Sequence, residues 1–173
     1  MAVRFRAVNG RLVGPRYEGH AVAGPIPAGA PGKAIDADAL WETLTETVFV
    51  GKFADERAIR LGDATYYAPR RAELERLLEA SLLDRRQWLE ERHDCDDFAY
   101  VLKGEASSHA YESPEVRYGL CVGIVWGHFD WVDGYHAINW ALTSDAGLLL
   151  IEPQTDAIYE PHRCTGQVGL LLV

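Results

Sequence analysis

The sequence predicts an α+β fold, with helices in the first half of the chain and an antiparallel sheet in the second. Two observations carry this. Between residues 35 and 104, apolar residues recur three or four positions apart, the spacing of one helix face. From Arg117 onward the pattern changes to short apolar runs separated by the turn signals Asp133-Gly134 and Asp145-Ala146-Gly147. Helices first and hairpin-linked strands afterwards is the order of an α+β chain, not of alternating βα units. At 173 residues and 48% apolar content, the chain suffices for one domain with a real core, whereas two full domains would be cramped.

The elements follow in order. Residues 1–34 are rich in Gly, Pro and Ala, with Gly24-Pro25-Ile26-Pro27 and Pro31-Gly32, and read as an extended N-terminal arm on a single domain. Ile35 to Phe49 reads as a helix capped by Asp36 or Asp38, with Leu40, Leu44 and Val48 on one face. Residues 50–69 read as irregular, ending in the aromatic breaker Tyr66-Tyr67-Ala68-Pro69. Pro69 opens a second helix to about Leu83, which buries Leu74, Leu77 and Leu78 and wets Arg70, Arg71, Glu73, Glu75 and Arg76. A third helix runs from Asp94 or Cys95 to Gly104, with Phe98, Val101 and Leu102 as its buried stripe. Arg117–Trp126, Tyr135–Leu142, Leu148–Glu152 and Gln167–Val173 read as strands.

Bulk properties exclude several functions. A net charge of −9 argues against nucleic acid and against anionic membrane surfaces, both of which are met by basic clusters. No apolar run approaches the length of a membrane span, and the start of the chain lacks the apolar core of a signal peptide. Three cysteines, an odd number without CxxC spacing, fit a reducing, cytoplasmic setting better than a disulfide scaffold, and exclude a zinc ribbon. No Walker loop, Gly-x-Gly-x-x-Gly, Gly-x-Ser-x-Gly or His-Glu-x-x-His is present.

The most informative stretch is Asp94-Cys95-Asp96-Asp97-Phe98-Ala99-Tyr100. A cysteine at a helix start is well placed to become a thiolate. His136 lies in the strand Tyr135–Leu142, and Glu152 closes the apolar run Leu148-Leu149-Leu150-Ile151. A thiol nucleophile needs a base, and the base needs an orienting group. Taken alone, each residue has a plainer reading. Asp94 with Asp97 makes a capping box, a free cysteine is often core, and a strand histidine is often structural. The ordered set points more strongly to catalysis. The three aspartates oppose ionisation of Cys95, and a bound divalent cation would reverse that field. Hard oxygen donors at this density suit calcium better than zinc.

The Asp-Cys-Asp-Asp-Phe-Ala block, His136-Ala137-Ile138-Asn139 and Ile151-Glu152-Pro153-Gln154 together resemble the C-terminal, papain-like cysteine protease domain of the Marasmius oreades agglutinin family. The block is also similar to bacterial transglutaminase-like cysteine peptidases. The resemblance covers roughly residues 70–160. It implies a papain-like or transglutaminase-like fold and a cysteine peptidase or related amide hydrolase acting on a peptide or protein. It further implies Cys95 as nucleophile, His136 as base, Glu152 as third member, and calcium near the cleft with Asp96 and Glu152 as ligands. Asp97 is a further candidate ligand. The chain has no room for a lectin trefoil beside this domain, so glycan binding does not carry over. An oxyanion donor is also needed. Gln87, eight residues before Cys95, is the candidate beside the Cys95 amide, with Gln154 as the substitute. The alternative function is a non-catalytic calcium- or ligand-binding protein of the same fold. The aromatic and acidic segment Trp126–Asp133 reads as a hairpin turn that packs on the sheet, or as a rim to the cleft.

Overall fold

The computed structural model describes residues 32–173 together with two short paired strands, β1 (Arg6–Val8) and β2 (Arg11–Val13). Most of the expected N-terminal arm therefore lies outside the described residues.

Strand β3 (Lys33–Asp36) leads into helix α1 (Ala37–Glu42), which continues as one π-helical stretch, Thr43–Val48. Asp36 is the cap, and its carboxylate accepts the Ala39 N–H at 2.8 Å. The region read as irregular contains β4 (Ile59–Arg60) and β5 (Thr65–Ala68). Tyr66-Tyr67-Ala68 is thus not a breaker but a strand, antiparallel to β3. Its alternation is short, and Tyr66 on one side is buried in the core.

Helix α2 (Arg71–Ala80) buries Leu74, Leu77 and Leu78 as the spacing requires. It stops before Leu83, which sits in a separate 3₁₀ turn, Leu83–Arg85. Helix α3 (Cys95–Glu112) starts where expected but runs eight residues past Gly104. That glycine faces open space, with nothing within 4 Å of where a Cβ would stand. A solvent-side glycine weakens a helix by about 1 kcal/mol without ending it, and burial of Ala106 and His109 beyond it carries the helix on.

The main sheet has six strands in the order β4-β10-β6-β7-β8-β9. Here β6 is Val122–Phe129, β7 Tyr135–Thr143, β8 Gly147–Glu152, β9 Ala157–Tyr159 and β10 Cys164–Leu172. Strands β6 to β9 form an antiparallel meander and β10 returns antiparallel to β6. The expected all-antiparallel sheet needs one correction, because β4 pairs parallel to β10 at the edge. β9 and β4 escaped the sequence reading because each is only two or three residues long. The segment Trp126–Phe129, read as part of a turn, belongs to β6.

The sheet is covered on both faces, which is why its strands read as apolar runs and not as clean alternation. One face packs Ile138, Trp140, Leu148 and Leu150 against Leu40, Leu44 and Phe49. The other packs Ala141, Leu149 and Ile151 against Leu74, Leu77, Phe98 and Leu102 of α2 and α3. Asn139, fully buried, ties α3 to the sheet: its amide donates to the Ala99 carbonyl at 2.9 Å and the Gly123 carbonyl at 3.1 Å. That joint sets where the start of α3 meets β7.

Candidate active site

The start of α3 is built as a reciprocal cap. Asp94 has extended backbone, its carboxylate accepts from the Asp97 amide, and the Asp94 N–H donates to Asp97 Oδ2 at 3.2 Å. Cys95 is the first helical residue and is half-buried. Its own N–H has no acceptor within the helix, as for any residue in a first turn.

Two backbone amides favour the Cys95 thiolate, those of Ala137 and Asp96. The Ala137 amide is on β7, directly after His136. The thiol therefore reaches the rim of the sheet at the residue following the histidine. Burial pushes the Cys95 thiol above its ordinary range, the Ala137 amide opposes this, and the charges of Asp94 and Asp96 add to the rise.

His136 and Glu152 meet. Nε2 of His136 is 2.8 Å from Oε2 of Glu152, and the two residues are 8% and 6% exposed. The register explains the contact. Asn139 is paired with Ile151 across β7 and β8, so Glu152 falls level with Ile138 and shares a sheet face with His136. The same carboxylate accepts the Gln154 amide on Oε1 at 3.3 Å, and the Trp131 indole Nε1 lies 3.5 Å from Oε2. With Nε2 taken by Glu152, Nδ1 is the ring nitrogen left for another partner.

A family model described as "Agglutinin C-terminal" matches residues 66–158, more than half of the chain. The chain belongs to the agglutinin C-terminal family. Two solved structures share the fold of this agglutinin C-terminal chain. One is the complex of PSL1a with E64, at 24% identity and a TM-score of 0.68, covering 81% of this chain and 50% of that one. The other is Polyporus squamosus lectin bound to a human-type influenza-binding epitope, at 22% identity and a TM-score of 0.64, covering 81% of this chain and 49% of that one. The chain thus spans about half the length of the structures it matches. No curated protein matches it.

Among the expected metal ligands, this agglutinin C-terminal chain groups Asp96 with Asp94 and Cys95. One donor atom from each lies within 4.8 Å of the others. Asp94, the helix cap and one of the three aspartates of the acidic helix start, is thus a donor beside Asp96. Asp97 is engaged by the Asp94 amide, and Glu152 by His136, Trp131 and Gln154; neither joins that group. The Asp96 carboxyl is held above its ordinary range first by a hydrogen bond shared with the Asp94 carboxylate, then by burial and the Asp94 charge. Two carboxylates crowded in this way are a donor set that a hard cation would fit.

The remaining residues separate cleanly. Gln87 is exposed, between the 3₁₀ turn and the tight turn that precedes α3. His93 lies against the Phe98 ring with centroids 4.4 Å apart, a packing role. Cys121 and Cys164 are fully buried. Trp131, within the segment read as a rim or packing loop, is the site residue that sequence reasoning did not single out. Its signal was proximity, five positions before His136 and inside an aromatic turn.

Proposed function

We propose that this chain is a papain-like cysteine hydrolase acting on peptide or protein amides, with Cys95 as nucleophile, His136 as base and Glu152 as the group that orients it. The observation that carries this is the buried His136–Glu152 pair at 2.8 Å, directly before Ala137, whose amide favours the Cys95 thiolate. The similarity of fold to PSL1a in complex with E64, a cysteine protease inhibitor, supports the same reading.

The chemistry follows from the parts. Glu152 holds Nε2 of the imidazole, which leaves Nδ1 to take the Cys95 proton. The thiolate adds to the substrate carbonyl. The resulting oxyanion is met by the Cys95 N–H, with Gln87 or Gln154 as a side-chain donor. The imidazolium then gives its proton to the departing amine, and water, deprotonated by His136, releases the acid from the thioester. The amides of Ala137 and Asp96 favour the thiolate, whereas burial and the flanking aspartates oppose it.

The aspartates give the calcium part of the proposal its place. Asp94 and Asp96 would hold the ion at the helix start, where it would supply positive charge that eases ionisation of the thiol. The second reading, a non-catalytic calcium- or ligand-binding protein, rests on this same acidic group, since it raises the thiol pKa in the protein alone.

Incubation with E64, followed by peptide mass mapping, separates the two readings. The hydrolase reading expects one adduct, on Cys95, formed at the rate of an activated thiol. Absence of an adduct with and without millimolar calcium would leave the binding protein.

A further inference from the structure

We propose that Trp131 is a positioning residue whose indole N–H holds the Glu152 carboxylate in register with His136. This rests on the hydrolase reading above and names the device that keeps its acid in place. The indole Nε1 lies 3.5 Å from Oε2 of Glu152, the same oxygen that His136 Nε2 meets at 2.8 Å. The other oxygen takes the Gln154 amide at 3.3 Å. One buried carboxylate thus accepts from three segments: β7, the turn between β6 and β7, and the residues after β8. A carboxylate free to turn about its last bond would present either oxygen to the imidazole. Fixed donors on both oxygens oppose that freedom.

The donor is itself fixed. The Trp131 ring stacks on Tyr159, with centroids 4.0 Å apart and planes 18° apart. Phe129 lies against it at 5.0 Å. The Arg163 guanidinium sits over both rings, 5.5 Å from Trp131 and 5.0 Å from Tyr159, and is anchored by Asp130 at 2.7 Å. A tryptophan on a hairpin turn could serve packing alone. Here the polar edge of the ring points at the acid, while the apolar face is used for the stack.

The test uses the full chain, with E64 as the probe of Cys95. Trp131→Phe keeps an aromatic ring on Tyr159 and removes the N–H. It is expected to slow adduct formation about tenfold, the effect of one hydrogen bond to a charged group, with the melting temperature kept. Tyr159→Leu, which loosens the stack and leaves the N–H, should slow it less. A spectroscopic arm reads the contact directly. Of the five indole N–H signals, the one lost in Trp131→Phe should move in Glu152→Gln while the other four hold. An unchanged rate in Trp131→Phe, or an indole signal indifferent to Glu152→Gln, would overturn the proposal. A parent chain that takes up no E64 would overturn the hydrolase reading and the positioning role with it. A responsive indole signal would then mark the fault as lying with the thiol and not with the Trp131–Glu152 contact.

Discussion

Cys95 and Cys121 are the same side chain in two kinds of surroundings. Cys121 lies in the apolar core at the entry to β6, fully buried, and its thiol is pushed up to about 12 by burial. Cys95 lies at a helix start, half-buried, with two backbone amides that favour its thiolate and two carboxylates beside it. Both thiols are raised first by burial, and only at Cys95 do carboxylate charges add to the rise. At Cys121 nothing could relieve the rise short of unfolding. At Cys95 the charges of Asp94 and Asp96 add to burial, and a cation or a proton could cancel that added part. Burial makes a thiol inert, whereas charge makes it conditional.

The first way to break this comparison is to exchange the two thiols for alanine. Cys95→Ala should abolish E64 uptake and any peptidase turnover while leaving the melting curve nearly unchanged. Cys121→Ala should do the reverse, keeping labelling and costing about 1 kcal/mol for a small core cavity. Loss of folding in Cys95→Ala would mean that both cysteines are core residues.

Glu152→Gln should reduce E64 uptake roughly 10²-fold, well short of losing the nucleophile, because the amide keeps part of the geometry and loses the charge. Equal losses in the two variants would point to a structural role for the His136–Glu152 pair. A calcium titration sharpens the contrast further. The alkylation rate of Cys95 and the melting temperature should rise together and fall with chelator, while Cys121 stays unlabelled throughout. Magnesium should substitute poorly, since it demands tighter geometry. No response up to millimolar calcium would leave Asp94 and Asp96 as caps.

Asn139→Ala removes the joint that sets α3 against β7. It should cost about 2 kcal/mol in urea unfolding, since the Ala99 and Gly123 carbonyls lose their buried donor.

The smallest effect is at Asp156, whose carboxyl is raised to about 6 by burial and by the charges of Asp84 and Glu105. A carboxyl raised on folding contributes stability that is fully present below its unfolded pKa and lost as pH rises through 6. Asp156→Asn should therefore raise the melting temperature by a few degrees at pH 7.5 and leave it unchanged at pH 4. Its backbone, at φ +55°, suits asparagine. Equal melting curves at pH 7.5 would show that solvent screens the charge.

Much was legible in the residues alone. Helical spacing located the α2 stripe Leu74, Leu77 and Leu78, and the Asp94 cap located the start of α3. Turn signals located the hairpin that puts β7 beside β8, and with it the His136–Glu152 contact. These are local facts, because periodicity and caps act over a few residues. The end of α3 was not legible, since only burial of Ala106 and His109 carries the helix past an exposed Gly104. Nor was the parallel pairing of β4 with β10, which joins residues more than a hundred positions apart.

The sequence by itself determined the α+β class, the order of cysteine, histidine and acid, and the acidic helix start. Tertiary structure alone decided that Asp94, and not Asp97, stands with Cys95 and Asp96, and that Trp131 reaches Glu152. The physical reason is directional. Spacing along a chain says which face a side chain takes, but which groups share a site depends on the twist and register of strands drawn from distant parts of the chain.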